Sequence, residues 1–240
     1  MMPETLSDIW VYLAASPLLA LTITLVVYQG AQWLYGRAGR PALLNPVLIS
    51  VVCLVAILAA TGTPYQTYFE GAQFIHFLLG PATVALAIPL YRQFEKVRRS
   101  AVAVLASLLL GSMTAMGTAL GIGWLMGLDQ VSLVSLAPKS VTAPVAMGIA
   151  EKLGGLPSLT AVFVILTGIL GGALGPALLD RMKIGDPAAR GFALGTASHG
   201  IGTAQALQES EVAGAFSGLA MGLNALATAI LLPLIWSFFG

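Results

Sequence analysis

Long apolar runs without a single Asp, Glu, Lys or Arg alternate with short polar connections along this chain. The runs cover residues 9–36, 41–69, 71–91, 100–128, 153–179 and 212–240, each at or beyond the roughly 20 residues a helix needs to cross the hydrocarbon core of a bilayer. They predict membrane-spanning helices. A transmembrane barrel would alternate polar and apolar residues at every second position, and these runs are continuous. Two regions depart from the pattern. The stretch 191–208 is marginal in length, while 130–138 and 140–150 are each too short to cross alone and are separated by Lys139. The prediction is therefore an all-α polytopic membrane protein of about seven to eight membrane segments, some of them discontinuous or re-entrant. No polar linker divides it, so residues 1–240 read as a single membrane domain.

Composition agrees with the pattern. The 240 residues are 58% hydrophobic and 9% charged, against about 25% charged in a soluble domain, so the usual solvated surface cannot be built. The net charge of +1 gives no electrostatic basis for nucleic-acid binding. Cys53 is the sole cysteine, which excludes an internal disulfide and a cysteine metal cluster; no cofactor or metal is expected. Glu4 and Asp8, with no basic residue before the first run, are unlike a cleaved signal peptide.

Charge orients the spans. Arg37 and Arg40, then Arg92, Lys96, Arg98 and Arg99, then Arg181, Lys183 and Arg190 are expected on the cytoplasmic side by the positive-inside rule. The surroundings of Asp129, Glu209 and Glu211 read as external. Arg99 and Arg181 share a side only if the interrupted segment between them turns back within the membrane, with Ala137-Pro138-Lys139-Ser140 at its tip; a crossing segment puts Arg181 outside. An internal repeat bears on this choice. Leu79-Gly80-Pro81-Ala82-Thr83-Val84 resembles Leu136-Ala137-Pro138-Lys139-Ser140-Val141, and Ala101-Val102-Ala103-Val104 resembles Ala161-Val162-Phe163-Val164. The repeat units are about 66–127 and 129–182, inverted if both interrupted segments are hairpins and parallel if both cross.

The interruptions are where chemistry is expected. Pro138 and Pro144, with Lys139, Ser140 and Thr142 between them, break a membrane helix, because each proline removes a donor and clashes with the preceding turn. Backbone freed at membrane depth must be buried in protein or line a wet cavity. A new helix start there suits an anion. A lysine at that depth costs about 2.5–3.5 kcal/mol, so Lys139 either neutralises a substrate carboxylate, or snorkels, or pairs with Asp129 or Glu151. Ser140 and Thr142 either bind substrate or cap. Gly80, Pro81 and Thr83 mark the corresponding break in the other repeat, one turn beyond His76. A third interruption is Ser198-His199-Gly200-Ile201-Gly202-Thr203, where two glycines weaken the helix. His199 there either binds the anion, carries a coupled proton, or is a buried histidine bonded to a backbone carbonyl. The glycines at 168–175 are read as helix packing, and Asn45 and Asn224 as a helix cap and an interhelical hydrogen bond. With neither HExxH nor GxSxG present, no enzyme is expected.

At these motifs the chain resembles the LrgB/CidB family of membrane proteins, which includes YohK-type proteins and the LrgB-like half of the plastid glycolate/glycerate translocator. The residues that carry the likeness are Gly80-Pro81-Ala82-Thr83-Val84 with Pro89-Leu90-Tyr91, Pro138-Lys139-Ser140-Val141-Thr142 with Pro144, and Arg190-Gly191 with Ser198-His199-Gly200-Ile201-Gly202-Thr203, within about residues 45–233. Many members carry a second Thr where Ala143 stands. The resemblance implies two functions: transport of small monocarboxylates such as glycolate, glycerate or pyruvate, and antiholin-like regulation of murein hydrolase activity with an LrgA/CidA-type membrane partner. The resemblance brings no site residues with it; the motifs themselves suggest, for the first function, a homo-oligomer in the bacterial inner membrane that binds a carboxylate through Lys139, Ser140, Thr142, Thr83, Ser198, His199, Gly200, Gly202 and Thr203 and works by alternating access.

Overall fold

The computed structural model describes residues 17–39 and 44–237. The expectations for residues 1–16 and for Arg40 lie outside the described residues, as do the side chains of His76 and Thr83. All regular structure among the described residues is helical, and the chain divides into two compact units, residues 1–85 and 86–240. Among the described residues, five helices or near-continuous helical stretches are long and apolar enough to cross a membrane: Leu18–Arg37, Tyr65–Arg92, Ala101–Leu125, Pro157–Arg181 and Glu211–Trp236.

The first unit contains α1 (Pro17–Arg37), α2 (Pro46–Thr61) and α3 (Tyr65–Ala85). The apolar run 41–69 is thus not one span. Asn45 starts α2 by accepting hydrogen bonds from the amides of Val47 and Leu48, and Gly62 ends it at φ 63°, a left-handed conformation that costs glycine nothing. Asn45 is the cap the sequence suggests. α1 packs against both α2 and α3, and the hydroxyls of Thr24 and Tyr68 bond across at 2.8 Å. The break expected at Gly80 and Pro81 is absent: α3 continues through both residues to Ala85, and the interruption falls at Leu86. One proline costs a helix a single hydrogen bond and a local clash, which transmembrane helices tolerate; Pro176 and Pro233 also lie inside helices.

The second unit contains α4 (Ala87–Arg92), α5 (Phe94–Arg99), α6 (Ala101–Leu125), α7 (Gln130–Leu136), α8 (Ala143–Lys152), α9 (Pro157–Arg181), α10 (Pro187–Glu209) and α11 (Glu211–Trp236). α6 and α9 are each 25 residues long. Leu109, Leu110, Leu166 and Leu170 stand at least half exposed on them, as helices facing lipid require.

Two segments reverse direction. In α10 the backbone leaves helical geometry at Ser198 (φ −130°, ψ 15°) and His199 (φ 42°, ψ −130°). An unbroken helix would put Arg190 and Glu209 roughly 28 Å apart at 1.5 Å per residue. Instead the Arg190 Nε donates to Glu209 Oε2 at 2.8 Å, and Leu194 packs with Ala206, so the two arms fold against each other. The α7–α8 segment does likewise. Its break at Ala137–Thr142 is followed by a return that lets the amide of Leu156 donate to Ser135 Oγ at 2.8 Å. Residues 21 positions apart on a continuing helix could not meet.

These reversals correct the charge reading in one respect. Glu209 is bonded to Arg190, and Glu211 lies 3.4 Å from Arg92, so both glutamates are on the basic side and not opposite it. Acidic residues carry little topological information, which is why their neighbourhood misleads. Asp129 caps α7; hydrogen bonds from the Ser132 hydroxyl and amide hold its carboxyl below the ordinary range.

Candidate functional site

α10 and α11 pack as closely as backbones allow. Gly191 and Gly195 face the backbone of Ala213 and Ser217: a Cβ on Gly195 would lie 2.8 Å from Ser217 Cα and nearer still to its carbonyl oxygen. Small residues four apart on both helices permit this approach. On the other side of α10, Gly171 of α9 leaves room for the Ser198 side chain, and Gly168 leaves room for the His199 ring, whose Cε1 would sit 2.6 Å from an added Cβ. The glycines at 168–175 are packing residues, as their composition suggests.

A cavity of about 1090 Å³ lies within the second unit, among α6, α9, α10 and the α7–α8 break. Its mouth is lined by Ser100, Leu178 and Asp186, at the ends of α6 and α9 and the start of α10. Arg99 and Arg181 adjoin that mouth in sequence, at the start of α6 and the end of α9, which lie at the same end of the cavity. Its deep end is reached by Ala115, Lys139, Ser140, Thr167 and Ser198. Along α6 this is a depth of roughly 20 Å at 1.5 Å per residue, well short of the far end of the helix.

Lys139 is half-buried at the deep end, and its Nζ donates to Ser140 Oγ at 3.4 Å. Among the described residues it forms no ion pair, neither with Asp129 nor with Glu151. Ser198 is 1% exposed, and its hydroxyl has no hydrogen-bond partner. A buried hydroxyl left unpaired costs about 1–3 kcal/mol. An unpaired cation and an unpaired hydroxyl thus line the same end of one cavity.

The other candidate residues fall elsewhere. His199 is buried and its Nε2 lies 2.9 Å from the Val164 carbonyl oxygen, to which it donates. Thr203 Oγ1 donates to the His199 carbonyl at 2.9 Å and meets Ser217 Oγ at 3.0 Å. Gly202 lies against the Leu194 carbonyl, where the arms of α10 close, and Gly200 has open space apart from a marginal contact with Met221. Thr142 is the N-cap residue of α8, and Pro144 sits in its first turn rather than at a break; Pro138 is buried within the break. Gly80, Pro81 and Thr83 belong to α3 of the first unit.

One residue ties the interruptions together. Asn224 of α11 is 1% exposed; its Nδ2 donates to the carbonyls of Ser140 (3.2 Å) and Thr196 (2.9 Å), and its Oδ1 accepts from Ser112 Oγ. With Ser198 and His199 out of helical geometry, the Thr196 carbonyl has lost the amide four residues on, and Asn224 replaces it. Sequence reading finds the interhelical role of this amide but not its partners. Gly191 and Gly195 it passes over, although their spacing of four, matched by Ala213 and Ser217, is the legible signal of a close helix pair.

This arrangement defines a polytopic membrane protein, all-helical among the described residues, whose helices line a half-depth cavity with the Lys139 cation at its inner end. The chain belongs to the LrgB-like family, whose profile matches residues 24–238. It is 40% identical over 223 residues to the uncharacterized protein YwbG of Bacillus subtilis, covering 92% of this chain and 98% of that one. It is 32% identical to the holin-like protein CidB of Staphylococcus epidermidis, over 90% and 94% of the two chains. With the antiholin-like protein LrgB of Bacillus mycoides it shares 29% identity over 94% and 98%. No solved structure matches the chain.

Proposed function

We propose that this protein acts in the membrane of a bacterial cell as part of a holin-like or antiholin-like system that regulates murein hydrolase activity or export, together with an LrgA/CidA-type membrane partner. The observation behind this reading is the likeness, over nine-tenths of both chains, to relatives that bear those names. It is the better supported of the two functions the resemblance implies.

A second reading is favoured by the cavity: a carrier of small monocarboxylates of the glycolate, glycerate or pyruvate kind. Lys139 would supply the charge, and Ser140 and Ser198 the hydroxyl donors. An anion there would return the cost of holding an ammonium away from water. In this reading the α7–α8 and α10 reversals are re-entrant hairpins that enter from opposite faces. Counted with α2 and the five spans they make eight membrane segments. α6 with its hairpin and α9 with its hairpin then form an inverted repeat, with boundaries at about 101–152 and 157–209 rather than 66–127 and 129–182. Alternating access and homo-oligomerisation belong to the same proposal.

Reconstitution separates the readings. The purified chain in liposomes is assayed for uptake of labelled glycolate and pyruvate, with K139A and H199A in parallel. Saturable uptake lost in K139A supports the carrier. Absence of flux, with stable binding of an LrgA/CidA-type protein, supports the regulator and refutes the carrier; leak of solutes of many sizes, unchanged in K139A, refutes the carrier in favour of a pore.

A further inference from the structure

The cavity stops half-way along the helices that form it. None of the residues at the far ends of α6 or α9, such as Leu125 or Pro157, lines it; the last are Ala115 on α6 and Thr167 on α9. The cavity also opens sideways along its length, where Leu110, Leu170 and Leu174 of its lining stand at least half exposed, so only its inner end is closed by protein. The tip of the α7–α8 reversal and the tip of the α10 reversal both reach this level, since Ser140 and Ser198 both line the deep end.

Each tip ends in backbone that its own helix cannot satisfy. Two carbonyls, those of Ser140 and Thr196, accept from the same Asn224 amide group, which thereby uses both of its Nδ2 hydrogens. The Asn224 oxygen is held by Ser112 of α6. One side chain thus bonds both tips and the span beside them. Ala137 of the α7–α8 tip lies in an apolar cluster with Met116, Ile149 and Leu232, and Val141 in another with Ala146 and Val164. Asn224 and its three partners are a buried polar group beside them.

We infer that Asn224 is the positioning residue that seals the floor of the cavity, by holding the tip of the α7–α8 reversal against the tip of the α10 reversal. The seal rests on the carrier reading for its purpose, because alternating access has to open that layer. The physical argument is one of alternatives. With Asn224 in place, the two freed carbonyls are satisfied without water. With an apolar side chain of the same size, both carbonyls lose their donor, and a buried carbonyl without a partner recruits water or moves apart to find it. Either response opens the layer.

The test reads access directly and needs no substrate. In a C53A background, T167C places a thiol at the deep end of the cavity, and a membrane-impermeant maleimide is applied to right-side-out and to inverted membrane vesicles. With Asn224 intact and no carboxylate present, the closed layer is the major state, and labelling from the far face is expected to be slow beside labelling from the mouth. In N224L it is expected to rise on the far face to the rate seen at the mouth. G222A, on the same helix and with open space around it, leaves all three Asn224 bonds, so far-face labelling stays slow. Far-face labelling as fast as at the mouth with Asn224 intact, slow far-face labelling in a folded N224L, or fast far-face labelling in G222A would each overturn the inference. Should N224L not fold, N224D carries the test: it keeps the shape and the Ser112 bond but cannot donate to both carbonyls. Glycolate and pyruvate uptake measured in the same vesicles keeps the two ideas apart. No uptake with the expected difference between faces sinks the carrier and leaves the seal, whereas uptake with equally fast labelling from both faces of the Asn224 protein sinks the seal alone.

Discussion

Replacing Gly195 by alanine tests the packing on which the site depends. The added Cβ would lie 2.8 Å from both Ser217 C and Ser217 Cα, and closer to the Ser217 carbonyl oxygen. These are backbone atoms of a 26-residue helix, so no rotamer change relieves the clash, and α10 must shift from α11 by about 1 Å to restore ordinary contact. Overpacking of this kind costs about 1–3 kcal/mol. The neighbouring residue adds to it. Thr196 accepts from Asn224 at 2.9 Å, and a shift of about 1 Å stretches that bond beyond hydrogen-bonding range. The loss contributes a further 1–3 kcal/mol or so, because both groups are buried. G195A is therefore expected to lower stability by about 2–6 kcal/mol, read as a fall in the denaturant midpoint in mixed detergent micelles. G200A, where open space surrounds the backbone apart from a 4.0 Å contact with Met221, is the comparison and should cost less than about 1 kcal/mol. G195A with the stability of the unsubstituted chain would refute the claim that α10 and α11 meet backbone to backbone.

Two further outcomes are expected. S198A should leave the empty protein as stable or up to about 1 kcal/mol more stable, since it deletes a buried hydroxyl without a partner; destabilisation by more than that in the same micelle assay would mean the hydroxyl is bonded. If the cavity takes an anion, S198A also weakens its binding about tenfold or more by titration calorimetry, the worth of one hydrogen bond to a charged group. R190A should cost about 1–2 kcal/mol, because it removes a two-pronged bond to Glu209 and a second one to Asp180 at the protein surface. R190K should recover part of that loss and not all, since a lysine cannot reproduce the paired bonds from Nε and a terminal nitrogen to the two Glu209 oxygens at 2.8 and 3.1 Å. Equal stability of R190K and the unsubstituted chain in thermal unfolding would show that the fork carries nothing.

Much of the architecture follows from local chemistry and is therefore legible without coordinates. An apolar run without charge has to become a lipid-facing helix, and α6, α9 and α11 arise where the runs 100–128, 153–179 and 212–240 predict them. A break is likewise local where proline, glycine and polar residues crowd together, as at Pro138 to Thr142 and at Ser198 and His199. The same reasoning fails at Pro81, because one proline among good helix formers removes too little to stop the helix.

Partnership is decided elsewhere. Asn224 meets residues 112, 84 and 28 positions away in Ser112, Ser140 and Thr196, and Arg190 reaches Glu209 only because the chain reverses between them. His199 has a motif suited to an anion, yet the space left by Gly168 turns its ring to the Val164 carbonyl, while Ser198 beside it is left unpaired. The amino-acid pattern determined where this chain must lie in lipid and where its helices must fail, since both depend on neighbours along the backbone. Which group answers each freed carbonyl, and which cation is left unanswered, only the tertiary structure decided, because those pairings join distant parts of the chain through space.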